Sequence, residues 1–532
     1  MSLARLLTLV IALLAGHGAL ATAEFETLIE SLPKASFKKK TALVDKIVAT
    51  NHERSSAILD ALMNGQLHRM KSDGQLVIRT GSSPSYSVHA AATGKPLGQI
   101  TKRESKKIRT NNGLRKHIRD SLSLLHLTSP NPIERQAAAM ELVASKATAA
   151  PELLRRALAK EADAEVRSAI SLALARIDVD SPNETVQLLA ISNLAGSLHP
   201  QAANVLRSVA HGPVQANRKV TEAAAETLRD IENQLMWYRQ VENLFFGLSL
   251  GSVLLLAAIG LAITFGVMGV INMAHGEMVM LGAYTTYVVQ TVFPDLVEAS
   301  ILIAIPAAFL IAGLVGIVIE RTVICHLYGR PLETLLATFG VSLILQQTVR
   351  SVFSPLNRSV STPSWMSGSL DLNPALSLTY NRLYIIVFAI LVLIGLAVLL
   401  KHSRFGLEVR AVTQNRNMAR AMGIRTARVD ALTFGLGSGV AGMAGVALSQ
   451  LTNVGPNMGQ AYIVDSFMVV VFGGVGNLLG TFFGAMTLGV ANKFLEPYAG
   501  AVLAKIAILV FIILFIQRRP QGLFALHGRA ET

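Results

Sequence analysis

One cysteine, Cys325, stands in 532 residues. A lone thiol excludes an internal disulfide and any metal site built on several cysteines. Charge is also scarce: Asp, Glu, Lys and Arg make up 15% of the chain, against about a quarter of a typical soluble domain. Hydrophobic residues fill 51% of it. No G-x-x-x-x-G-K-[ST] run occurs, so the chain cannot cradle a nucleotide phosphate by that route. Paired carboxylates, a nucleophile triad and metal-ligand spacing are absent too, so neither catalysis, nor a metal, nor a cofactor of its own is expected.

The few charges are unevenly placed. Residues 24–240 hold 30 of the 48 Lys/Arg and 22 of the 34 Asp/Glu, while the longer stretch 241–532 holds 17 and 12. A polar half therefore precedes a membrane half. The net charge of +14 could suit nucleic acid, but excess Lys/Arg in the cytoplasmic loops of a membrane protein explains it better, and no nucleic-acid partner is expected. Residues 1–23 read as a signal peptide. Arg5 supplies the charge, LLTLVIALLAG (6–16) the apolar core, and Ala21-Thr22-Ala23 an A-x-A cleavage site. An uncleaved anchor is the rival reading, and either one exports the polar half.

Residues 24–240 are expected to form a mainly helical exported domain. FETLIESLPKASFKKKTALVDKIVAT and SSAILDALMNG carry apolar residues at three- and four-residue spacing. Residues 71–98 are rich in Gly, Ser and Pro, and QLVIRT and YSVHA within them fit short strands of a hairpin-like insert. From about residue 131, short amphipathic helices recur at roughly 30–40 residues and resemble HEAT-type repeats. EADAEVRSAISLALARI (161–177) carries most of that resemblance: acidic residues open the helix, Arg167 comes next, and a small-residue and Leu face is left to pack. Such an array can present a surface to partners or serve only as a spacer.

Residues 241–532 contain apolar segments at about 243–266, 276–292, 299–319, 333–353, 382–400, 429–451, 463–482, 483–496 and 500–517. The count lies between eight and ten, with nine the best value, and the class is an all-α polytopic membrane domain set in lipid. FGGVGNLLGTFFGA, where the seventh and eighth segments meet, allows close packing or a broken helix. Residues 401–428 hold seven of the 17 basic residues of this half, with Glu408 the only acid. The tail and the Arg321–Arg330 stretch add five more. Placing these three stretches in the cytoplasm puts 12 of 17 basic residues inside. The C-terminus is then cytoplasmic and residue 240 lies outside, as the signal sequence independently requires.

KHSRFGLEVRAVTQNRNMARAMGIRTARV (401–429) is more ordered than an ordinary positive loop. Val409, Val412, Met418 and Met422 can share one face of an amphipathic helix, and Gly423 is a plausible stop. This stretch resembles the coupling segment of ABC-importer permeases. LGSVLLLAAIGLAITFGVMGVINMAHGEMVMLGAY (250–284), LETLLATFGVSLILQ (332–346), NRNMARAMGIRTARVDALTFGLGSGVAGMAG (415–445) and RRPQGLF (518–524) resemble the permeases for branched-chain amino acids and urea. The resemblance covers about residues 241–525. It implies a bacterial inner-membrane transport subunit and a coupling role for Arg404, Arg410, Asn415, Arg416, Arg420 and Gly423. It also implies two ATP-binding partner subunits, a second homologous permease and an extracytoplasmic solute-binding protein. An exported N-terminal extension on this permease resembles the urea-type subunit, which makes urea the first expected substrate; branched-chain amino acids or short amides are the alternative. A membrane receptor with an exported sensing domain would need a cytoplasmic output domain, and no expected cytoplasmic loop is longer than 401–428.

INMAHGEMVM (271–280) sets an amide, an imidazole and a carboxylate between apolar runs. Ionisable groups at membrane depth cost about 2.5–3.5 kcal/mol each on insertion scales unless they meet a cavity or a partner. Asn272, His275 and Glu277, with Thr338 and Gln346 (or Gln347) from another span, are therefore candidates for the substrate pathway. A neutral hydrogen-bonding solute such as urea needs donors and acceptors of this kind. The competing reading is an interfacial turn near the cytoplasmic side, and Asp465 is expected to be interfacial as well.

Overall fold

The structure, a computed structural model, describes residues 25–50, 52–81, 85–145, 151–212 and 217–524. The expected signal peptide lies outside them, as does Arg529 of the basic tail. The chain divides into two compact units, 1–234 and 235–532.

The first unit holds more sheet than the hairpin-like insert expected of it. Helices 25–31, Phe37–Ala49, Ser55–Met63 and Asn112–His126 surround a core of Phe25, Ile29, Leu32, Val44, Ile47, Leu59, Leu67 and Ile118. Against them lies a five-stranded antiparallel sheet, with strands Leu67–Met70, Leu76–Thr80, Tyr86–Ala90, Pro96–Ile100 and Ser105–Lys107. The last strand returns to pair beside the first. Strands in QLVIRT and YSVHA were legible from β-branched and aromatic residues. The other three were not, because LHRM, PLGQI and SKK are short or polar and take their order from the ladder.

From residue 132 the unit is helical: Pro132–Ser145, Pro151–Lys160, Ala164–Asp178, Glu184–Leu194 and Pro200–Ala210. The acidic opening of 161–177 has a local purpose. Asp163 caps its helix by accepting from the Glu165 and Val166 amides at 2.9 and 3.1 Å. Glu161 accepts a fork from Arg135, Nε at 2.7 Å and Nη2 at 2.8 Å, and two backbone amides at 3.0 Å. Arg167 donates to the Glu161 carbonyl at 2.6 Å.

In the second unit, six helices of the described residues are long and apolar enough to cross a membrane: Arg218–Met268 (whose apolar part belongs here), Pro294–His326, Pro331–Phe353, Tyr380–His402, Thr426–Ser449 and Leu478–Arg518. Two shorter helices, His275–Val292 and Met458–Gly473, pack among them. The break allowed within FGGVGNLLGTFFGA (472–485) falls at 474–477, where Gly474 and Gly476 take φ of 104° and 78°. The last two expected segments form one run interrupted at Gly500, whose φ of 77° and ψ of 160° are non-helical.

Helix Thr426–Ser449 is the centre of this unit, buried along most of its length. It lies against Arg218–Met268, His275–Val292 and Ser300–Thr322 at glycines. A methyl on Gly437 would stand 2.6 Å from the Gly260 carbonyl oxygen, and one on Gly442 2.6 Å from that of Ala308. Lipid gives no hydrophobic drive between helices, so such close backbone approach supplies the packing energy.

Gly437→Ala and Gly442→Ala should each destabilise the detergent-purified protein by about 1–3 kcal/mol through overpacking. Gly340→Ala and Gly395→Ala, where an added Cβ meets nothing within 4 Å, should stay within about 1 kcal/mol of the parent or gain from helix propensity. Thermal unfolding checks all four. Acid probes a different contact, in the first unit. The Arg135 hydrogen bond holds the Glu161 carboxyl at about 2, below its ordinary 4.5. A carboxylate depressed in the folded state stabilises fully above the unfolded value and loses that contribution as pH falls toward the folded one. Protection factors for amide exchange in Pro132–Ser145 and Ala164–Asp178 of the full chain should therefore fall between pH 4.5 and 2. Glu161→Gln should remove that dependence.

Candidate functional site

The sequence INMAHGEMVM breaks the helical path. Helix Arg218–Met268 ends before Gly269, whose φ is 68°, and the chain turns until His275 opens the next helix. Asn272 braces the turn, its Oδ1 accepting from the Ala274 amide at 2.9 Å. His275 donates from Nε2 to the Ala257 carbonyl at 2.9 Å, while its Nδ1 has no hydrogen-bond partner among the described residues. Glu277 accepts at Oε1 from Ser342 Oγ at 2.9 Å and Gln346 Nε2 at 2.8 Å, and its Oε2 has no partner among the described residues. That oxygen faces Gly459, where an added Cβ would stand 2.9 Å from it. The turn is real, and protein covers it: Asn272, His275 and Glu277 are each 1% exposed. Irregular backbone within a membrane domain is tolerated under such cover.

The partners come from one stripe of helix Pro331–Phe353. Thr334, Thr338, Ser342 and Gln346 recur every fourth residue and all are buried, while Leu332, Leu336, Leu343 and Ile344 on the other faces are exposed. The helix is amphipathic with its polar side inward. Thr338 accepts from the Met273 amide at 3.1 Å, so it, Gln346 and the INMAHGEMVM residues come together as expected. Gln347 is exposed and does not join them. Ser342 went unread in the sequence, although the four-residue spacing of Thr, Thr, Ser and Gln carried the signal.

The basic stretch is not one amphipathic helix. It forms two short helices, Arg404–Gln414 and Arg416–Ala421, because Asn415 leaves helical geometry and caps the second by accepting from the Met418 amide at 2.9 Å. Ser403 caps the first through the Gly406 amide at 3.0 Å, and Gly423 ends the segment at φ 89°. The expected apolar face therefore splits. Val409 and Val412 are buried with Ala419 and Val429, whereas Met418 and Met422 are exposed. Arg404 and Arg420 are exposed, and Arg420 reaches Thr426 Oγ1 at 3.4 Å. Arg410 donates to the Leu400 carbonyl. Arg416 turns inward to Asp430.

Asp465 lies within helix Met458–Gly473 and pairs with Lys505 of Leu478–Arg518 at 2.9 Å, so it ties two helices together. Among the described residues no group of three His, Cys, Asp or Glu side chains is placed to hold a metal ion.

The family model described as the permease component of the branched-chain amino acid transport system matches residues 243–517, more than half of the chain. The chain belongs to this family. It is thus a permease subunit of an ABC importer, a transport component and not an enzyme. The permease is 30% identical over 324 residues to LivH of Salmonella typhimurium, a high-affinity branched-chain amino acid transport system permease protein; the match covers 57% of this chain and 99% of that protein. It is 30% identical over 304 residues to BraD of Pseudomonas aeruginosa, which carries the same description, covering 56% and 98%. A probable LivH of Methanocaldococcus jannaschii is 25% identical over 288 residues, covering 51% and 88%. No solved structure matches the permease.

Removing one donor from the buried Glu277 carboxylate should be costly. Gln346→Leu should lower the permease's stability by about 1–3 kcal/mol, while Ile344→Leu on the exposed face should stay within about 0.5 kcal/mol. Denaturant unfolding in detergent measures both. Gln346→Leu combined with Glu277→Ala should fall short of the sum of the single effects, because the two share one interaction.

Proposed function

We propose that this permease carries urea inward through a pathway bordered by Asn272, His275, Glu277, Thr338 and Gln346, with Ser342 added to the set. The observation that carries the reading is the inward polar stripe of helix Pro331–Phe353 facing Glu277, with a buried acceptor oxygen and a buried imidazole nitrogen left unpaired among the described residues. Urea is small and neutral, with N–H donors for free acceptors and a carbonyl for free donors. Its passage requires hydrogen-bonding groups instead of a charge-selective ring.

In this proposal residues 1–23 direct export, and the domain from 24 to about 240, with HEAT-like repeats from about 131, lies in the periplasm. Residues 241–532 cross the bacterial inner membrane about nine times, counting the helices either side of Gly500 separately, and the C-terminus is cytoplasmic. The 401–428 segment docks on ATP-binding subunits, two per transporter, which hydrolyse ATP for a chain without a phosphate loop. Exposed Met418 and Met422, with Arg404, Arg410 and Arg420 around them, suit the contact; Asn415 and Gly423 set its turns. A second homologous permease and an extracytoplasmic solute-binding protein complete the assembly. ATP then biases two states of the pathway by binding them unequally.

A second reading is branched-chain amino acid transport, favoured by the description that LivH and BraD carry. Labelled uptake in cells deleted for this chain separates the two. Urea uptake should disappear and leucine uptake persist, with restoration by the intact gene. Loss of leucine uptake with urea uptake unchanged transfers the assignment to branched-chain amino acids.

A further inference from the structure

The inward turn of Arg416 is at odds with an arginine that serves by touching a partner. Its guanidinium donates to both oxygens of Asp430, Nη1 to Oδ1 at 3.2 Å and Nη2 to Oδ2. Asp430 is 0% exposed. The guanidinium also lies over the Tyr328 ring, 4.5 Å from its centroid. Tyr328 in turn donates its hydroxyl to Glu320 Oε1 at 2.9 Å, and Glu320 is buried at the end of helix Ser300–Thr322. Four residues from four segments thus form one chain of contacts: the second short helix of 401–428, the second turn of Thr426–Ser449, the 324–330 connection, and Ser300–Thr322.

The anchored helices are the ones whose packing leads to Glu277. Thr426–Ser449 abuts Gly260 at Gly437, and a methyl on Gly260 would stand 2.9 Å from His275 Cε1. A methyl on Gly445 would meet Ala283 N, in the helix that carries His275 and Glu277, at 2.7 Å. Backbone-to-backbone contact of this kind cannot slide without separating, so a push on residue 430 moves the polar turn as well.

We infer that Arg416 is a positioning residue: clamped by Asp430 and Tyr328, it fastens the 401–428 segment to helices Thr426–Ser449 and Ser300–Thr322, so that ATPase movement reaches the polar turn. A bidentate guanidinium–carboxylate pair, closed on one side by an aromatic face, holds orientation as well as distance. Lysine keeps the charge but not the fork. This inference rests on the docking role proposed for 401–428, and its test separates the two.

The full transporter is purified with its ATPase subunits, and solute uptake per ATP hydrolysed is measured in vesicles. For Arg416→Ala the ATPase should still co-purify at the parental ratio, while uptake per ATP falls about tenfold, the scale of a broken buried pair discounted for partial exposure. Arg416→Lys should recover part of that loss. Arg416→Ala/Asp430→Ala should be no worse than the more damaging single change. Tyr328→Phe, which keeps the ring and folds without a cavity, should lose less than Tyr328→Leu, which removes the face under the guanidinium. Loss of ATPase co-purification in Arg416→Ala would make Arg416 a docking residue and overturn the inference, as would full coupling in that variant or strictly additive losses in the double. Failure of the unaltered chain to bind any ATPase would instead defeat the docking role itself.

Discussion

Close approach of backbones is the constraint on which the membrane unit depends. Between helices in lipid there is no water to expel, so cohesion comes from van der Waals contact, and that requires small residues where axes cross. Thr426–Ser449 supplies them on several sides: Gly437 toward Gly260, Gly442 toward Ala308, Gly445 toward the helix that starts at His275. Side chains of ordinary size at these crossings would push the helices apart by more than the reach of a hydrogen bond. The polar contacts could not form across such a gap, so the glycine crossings must come first in any account of them.

Within that frame the buried acids act as ties between segments. Glu277 is held by two side chains of Pro331–Phe353, Glu320 by Tyr328, Asp430 by Arg416 and Asp465 by Lys505. A carboxylate buried alone would cost several kcal/mol, so each one fixes the partner segment that answers it. Glu277 differs from Asp430 in an instructive way. Both oxygens of Asp430 meet one guanidinium, whereas one oxygen of Glu277, beside Gly459, has no hydrogen bond among the described residues. The former has the chemistry of a fastening, whereas the latter is fastened at one oxygen only.

Much of this organisation was legible because membrane segments announce themselves by length and apolarity, and helix ends by their caps. The acidic cap at Asp163 and the stop at Gly423 sat where residue type demanded. What was hidden depended on contacts distant in sequence. The three short strands of the first unit borrow their order from neighbours. Asp465 has no visible partner until Lys505, 40 residues later, is brought alongside it. The face shared by Val409, Val412, Met418 and Met422 fails because one residue, Asn415, serves better as a cap than as a helical interior. Ser342 is a different case: its spacing was visible, but a lone serine in an apolar run carries no weight until Glu277 is known to face it.

The same distinction bears on how the basic segment should be understood. Positive charge near a membrane edge can set orientation, bind lipid headgroups or meet a partner, and composition alone treats seven Lys and Arg residues as equivalent. Geometry does not. Lys401, Arg404, Arg410, Arg420, Arg425 and Arg428 are exposed, Arg410 also donating to the Leu400 carbonyl, and Arg416 alone turns inward to Asp430. The exposed centre of the segment is formed by Met418 and Met422, which are flexible, apolar and suited to a surface that must fit another protein. One charge, that of Arg416, thus holds the segment from within, while the thioethers and the remaining charges stay at its surface.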